Sequence, residues 1–169
     1  MASLRQLVDT PTLAPMLAYL ARPRADPLVE RVALIEDLED LADVAAHSIV
    51  LLTHGAAAAA GTYRFDVALR LARSRHIAAV VLPAGAAATI TPTSAAIADR
   101  SGTAVLATVP GVDLAELAAA ISRELGGDAA VALRRAHSAV QAIAAFPPDG
   151  RPEALIRRVG AVLGNPLQL

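Results

Sequence analysis

The sequence contains no cysteine and no tryptophan, and all 15 of its basic Lys+Arg residues are arginine. Without cysteine there is no disulfide, no thiolate nucleophile and no sulfur-based metal site. Without lysine there is no phosphate-binding P-loop of the usual kind, whose lysine reaches the terminal phosphates. Aromatics make up only 2% of the chain, so Ala, Leu and Val must fill the core. The Ala and Arg bias matches high-GC coding pressure and carries no functional meaning. A basic stripe is missing too: the net charge is −1 and the sequence pI is near 6.4. DNA-binding domains draw much of their affinity from arginines and lysines that neutralise phosphates. The nearest groups here, Arg70/Arg73/Arg75 and Arg134/Arg135, fall at helical spacing and read as solvated helix faces. Long apolar runs are also lacking: none reaches the roughly 18 residues that a membrane span requires. Met1-Ala2-Ser3-Leu4-Arg5 leads into no apolar signal region and no cleavage site, so the expected location is the cytoplasm.

What is present is core material. Hydrophobic residues make up 55% of 169 residues, enough for one good-sized domain, or for one domain plus the start of another. Ser3 to Asp9 begins with a capping residue and sets Leu4, Leu7 and Val8 on one helical face, and Thr12 to Leu20 is a second apolar piece. Val32 to Ile35, Ser48 to Thr53, Ile77 to Leu82 and Thr103 to Thr108 are short continuous apolar runs, the pattern of strands buried on both faces. Between them lie helical periods: Leu38 to Ala46, Asp66 to Arg75 with Phe65, Leu69 and Ala72 inward, and Ser94 to Arg100 capped by Thr93. Residues 56–60 read as an Ala-rich linker. Alternating strands and helices predict an α/β fold, a mostly parallel, Rossmann-like sheet with flanking helices on both faces.

The C-terminal third changes character and predicts a helical segment. Asp113 caps a helix carrying Leu114, Leu117, Ile121 and Leu125, and Gly126-Gly127 interrupts it. Beyond Asp128, Leu133, Ala136, Val140 and Ile143 fall at 3-4-3 spacing, which suits a helix–helix seam and a homodimer interface. A last helix runs from Glu153 to Leu163, and Leu167-Gln168-Leu169 reads as the opening of a strand. The expected organisation is an α/β domain over 1–125, then a linker helix and the broken-off start of a second domain over 126–169.

Catalytic chemistry finds little support. His47, His54, His76 and His137 are scattered, with no His-x-x-x-His pair, so no metal site, catalytic set or cofactor is expected. The Gly55 to Gly61 segment lacks the spacing of a dinucleotide-binding loop. Asp37, Glu39 and Asp40 fit an acidic helix N-terminus better than a pair of catalytic carboxylates. Thr53-His54-Gly55 carries more information, because it directly follows the best strand and ligands of parallel sheets bind outside the carboxyl ends of strands. Thr53, His54, Gly55 and the nearby Tyr63 are therefore the candidate ligand-binding residues. The bland alternative for the tripeptide is a strand-to-loop turn with Gly55 at positive φ.

The stretches Ser3-Leu-Arg-Gln-Leu7, Ile49-Val-Leu-Leu-Thr-His-Gly55, His76-Ile-Ala-Ala-Val-Val-Leu82 and Ile97-Ala-Asp-Arg-Ser-Gly-Thr-Ala-Val-Leu-Ala-Thr-Val-Pro110 come in a familiar order. Over residues 3–125 the chain resembles the N-terminal domain of PucR-type (purine catabolism) transcription regulators, and residues 128–169 look like the start of the GAF-like region that commonly follows. The chain departs from the family pattern at His54, where a second Thr is usual, and at Thr103-Ala104, where Leu-Pro is usual. It also lacks an aromatic before the Leu-Leu-Thr strand. The resemblance implies the sensing region of a bacterial regulator, a small-molecule effector and a homodimer. It further implies DNA contact only through a helix-turn-helix beyond Leu169. Two other readings stand beside it: a dimerisation module without a ligand, and an enzyme on a Rossmann-like scaffold, which would need a nucleophile or acid/base pair.

Overall fold

The computed structural model describes residues 2–126. A five-stranded sheet organises them, formed by β2 (Leu17–Ala21), β4 (Arg31–Ile35), β5 (Ser48–Leu52), β6 (Ala79–Leu82) and β7 (Ala104–Thr108). Its order is β2-β7-β6-β5-β4, with β4 to β7 parallel and β2 antiparallel on the β7 edge. Two short strands, β1 (Ala2–Ser3) and β3 (Leu28–Val29), pair antiparallel as a separate ribbon. Every residue of β5, β6 and β7 is buried, which is why these strands appear in the sequence as unbroken apolar runs. The edge strands β2 and β4 mix buried and exposed positions instead.

The parallel strands lie side by side in chain order. When successive crossovers share one hand and advance in one direction, all of them fall on the same face of the sheet. The buried clusters agree. Val50, Leu52, Val80, Leu82 and Val105 pack beneath α2 (His54–Ala57), α3 (Tyr63–Ser74), α5 (Pro92–Ser101) and a 3-10 helix at Leu38–Ala42. Ile49, Leu51, Val81 and Leu106 face the other way, towards α1 (Leu4–Val8) and helix α6 over residues 114–126. Helices thus cover both faces as expected, but the crossovers supply only one of them. The elements before β2 and after β7 supply the second.

Local sequence explains most boundaries. Ser3 and Gln6 form a reciprocal capping box at α1. Asp113 Oδ1 accepts the Ala115 and Glu116 amides and starts α6, as its position predicts. Helix α5 begins two residues earlier than expected: Thr91, not Thr93, is its cap, because Pro92 at the first helical position needs no amide partner. Residues 56–60 are not a linker. Thr53 caps α2 directly at the end of β5, and turns complete the passage to α3. Gly61 lets that passage abut the next loop, since a Cβ there would sit 3.2 Å from the Thr89 carbonyl. The apolar piece 12–20 yields edge strand β2, with a bulge between Tyr19 and Ala21. Beyond Gly126, the expected second unit lies outside the described residues. So do Arg134, Arg135, His137 and the seam residues Leu133, Ala136, Val140 and Ile143. Among the described residues, no helix is long and apolar enough to cross a membrane.

Candidate functional site

The carboxyl ends of β5, β6 and β7 open into a two-lobed cleft. Because β6 lies between the other two, the turn that follows it, with α4 (Ala84–Ala87), forms the ridge between the lobes. One lobe, about 240 Å³, lies between α2 and α4 and is bordered by His54, Ala57, Pro83, Gly85 and Thr89. The other, about 260 Å³, lies between α4 and the turn after β7, where Thr108, Gly111 and Asp113 line it. His54, Pro83 and Gly85 border both. Small-ligand sites typically enclose about 300–1,000 Å³, so each lobe by itself falls below that range.

Most polar groups around the cleft are already engaged. Thr108 Oγ1 accepts the Ala84 amide at 3.0 Å, which ties the start of α4 to the end of β7. The Thr89 hydroxyl donates to the Ala86 carbonyl at 2.7 Å. Asp113 Oδ1 is occupied by its two capping bonds. Gly111, at φ +88, turns the chain back towards α6. The exposed His54 side chain makes no hydrogen bond or ion pair among the described residues. It is therefore the side chain here with both nitrogens open to an incoming molecule. Chemically, such a group can orient a ligand through one donor and one acceptor.

The other three ligand candidates are placed differently. Thr53 serves structure: its hydroxyl oxygen receives the Ala56 amide at 3.5 Å, and its own amide donates to the Ile35 carbonyl at 3.1 Å. Gly55 is not at positive φ. Among the described residues the glycines at positive φ are Gly102 and Gly111, and a Cβ on Gly55 would meet its nearest neighbours, the Glu36 carbonyl and Thr53 Oγ1, at an ordinary 3.7 Å. Tyr63 borders a separate groove of about 240 Å³ with Leu38, Arg64, Val67 and Leu71, and it does not line either lobe of the His54 cleft. The structure thus places His54 in the cleft, Thr53 and Gly55 in the turn beside it, and Tyr63 in another groove.

Sequence reasoning missed Pro83 to Gly85, Thr108, Gly111 and Asp113 as cleft residues. The signal was available: Pro83 and Val109-Pro110-Gly111 end the next two strands just as Thr53-His54-Gly55 ends β5. The same rule, applied to each strand end, would have gathered them. Among the described residues, no group of three or more His, Asp or Glu is placed to hold a metal ion. No known family model matches the chain, and no curated protein matches it.

Proposed function

We propose that residues 2–126 are the small-molecule-sensing domain of a bacterial transcription regulator, with the effector seated in the His54 cleft. The observation behind this reading is a cleft at the carboxyl ends of three adjacent parallel strands, bordered by a His54 side chain that makes no hydrogen bond or ion pair among the described residues. The motif resemblance to PucR-type regulators points the same way. The net charge of −1 and the missing basic stripe assign DNA contact to some other region. The effector acts by population shift: it favours whichever arrangement of the surrounding turns closes on it, and the bias passes along α6, whose first turn adjoins the cleft.

Thermal denaturation with a panel of metabolites, purine-derived compounds included, tests the idea. A ligand that binds only the folded chain stabilises it by about 2.7 kcal/mol at a hundredfold excess over Kd. The expected result is a raised Tm with at least one compound, lost in His54→Ala and reduced in Thr108→Val, which frees the start of α4. If no compound moves Tm, or if the shift survives His54→Ala unchanged, the sensing role assigned to this cleft fails. A dimerisation module without a ligand is the second reading, and the exposed face of α3 is the observation that favours it.

A further inference from the structure

Helix α3 buries Phe65, Ala68, Leu69 and Ala72 against the sheet. Its outer face should then be polar, yet Tyr63 is 77% exposed and Val67 55% exposed, and the half-buried Leu71 continues their line at four-residue spacing. These side chains and Leu38 form an open apolar groove of about 240 Å³ along the helix. Arg64 at the head of the helix bonds both Asp37 and Glu39, at 3.4 and 3.3 Å. Asp37, Glu39 and Asp40 leave that end net acidic, whereas exposed Arg73 and Arg75 make the far end basic.

This polarity selects the occupant. We infer that the groove is a self-association surface, in which α3 of a second copy lies antiparallel across it about a two-fold axis. In an isologous contact each subunit offers the same patch, so a patch that is acidic at one end and basic at the other complements itself when reversed. With the axis between Val67 and Leu71, Val67 meets Leu71 of the partner subunit. Tyr63 then lies under Arg75 of the partner subunit, a cation–π pairing, and Glu39 faces the same guanidinium. Helix α3 has 12 residues, about 18 Å of contact at 1.5 Å per residue, so the patch is small and the dimer weak and rapidly exchanging. This surface is distinct from the His54 cleft.

Sedimentation equilibrium of the full chain at low salt tests it. Wild type should self-associate, and Val67→Asp should weaken the association by about tenfold or more, as expected for a charge buried at an interface centre. Glu39→Arg and Arg75→Glu should each weaken it, and the double variant should bind more tightly than either parent, because the exchanged charges meet again across the axis, while the Tyr63 cation–π contact stays lost. All three positions are exposed, and circular dichroism will confirm that each variant is folded. A chain monomeric at millimolar concentration, self-association indifferent to Val67→Asp, or a double variant no better than its parents would each overturn the inference.

Discussion

The Ser94 hydroxyl donates to Asp66 Oδ1 at 2.5 Å, joining α5 to α3 across the helical layer. Ser94 is fully buried, and its backbone amide donates to the Thr91 hydroxyl oxygen at 3.0 Å. The two hydroxyl oxygens lie 2.9 Å apart. Since the Ser94 proton goes to Asp66, the Thr91 proton is the one shared between them. One short chain of polar groups thus caps α5 and fastens it to its neighbour.

Ser94→Ala breaks that chain at its middle and leaves the half-buried Asp66 carboxylate without its partner. Hydrogen bonds to charged groups contribute about 1.5–3 kcal/mol, so a loss of about 2 kcal/mol is expected from urea denaturation. Ser94→Thr keeps the hydroxyl but adds a methyl where no space is open, and should recover only part of the loss. An unchanged midpoint for Ser94→Ala would show that water replaces the serine at no cost.

The contrast between β5 and β2 shows how much of the fold the sequence reveals. Ser48 to Leu52 is central and buried on both faces, so every side chain is constrained and the run is unmistakable. Leu17 to Ala21 is an edge strand with a bulge, paired to β7 almost 90 residues away, and nothing local marks that partner. Helix α3 was legible through Phe65, Leu69 and Ala72, which obey a helical period. The cleft was legible only at His54. Its other wall is built from turns that converge in space because β5, β6 and β7 are neighbours, and strand order is not written in any local pattern. Tyr63 was assigned to the His54 site by proximity along the chain, but eight residues of helix and turn carry it to another groove.

Alkaline stability should depend on Tyr19. Burial raises its pKa above 10.0, the carboxylates of Asp9 and Asp26 raise it further, and Arg22 and Arg5 oppose them. Arg22 sits 4.6 Å from the ring centroid. The folded chain therefore holds the phenol proton more tightly than the unfolded chain. Its contribution is fully present below pH 10 and is lost as pH rises through the folded pKa. The chain has no lysine or cysteine, whose titration would overlap this window. Stability measured above pH 10 should fall for wild type and stay flatter for Tyr19→Phe. Parallel pH profiles for the two would remove the assignment.

His76 is the clearest site for gaining stability. It follows α3 with φ +55, in the left-handed region, and completes a Schellman motif: Ile77 N donates to Ala72 O at 2.9 Å and His76 N to Arg73 O at 3.1 Å. Glycine usually holds this position, because a Cβ costs about 1–2 kcal/mol in left-handed backbone. The His76 side chain is exposed and makes no hydrogen bond among the described residues, while its carbonyl accepts the His47 amide at 2.9 Å. His76→Gly keeps that backbone bond and removes the strain. Part of the gain is offset by the greater freedom of glycine in the unfolded chain, about 0.4–1 kcal/mol. The expected net is a stabilisation of about 0.5–1 kcal/mol and a Tm higher by a few degrees. His76→Val should move the other way, because a β-branched side chain tolerates this backbone least. A lower Tm for the glycine variant would mean that the imidazole makes a stabilising contact that outweighs the backbone cost.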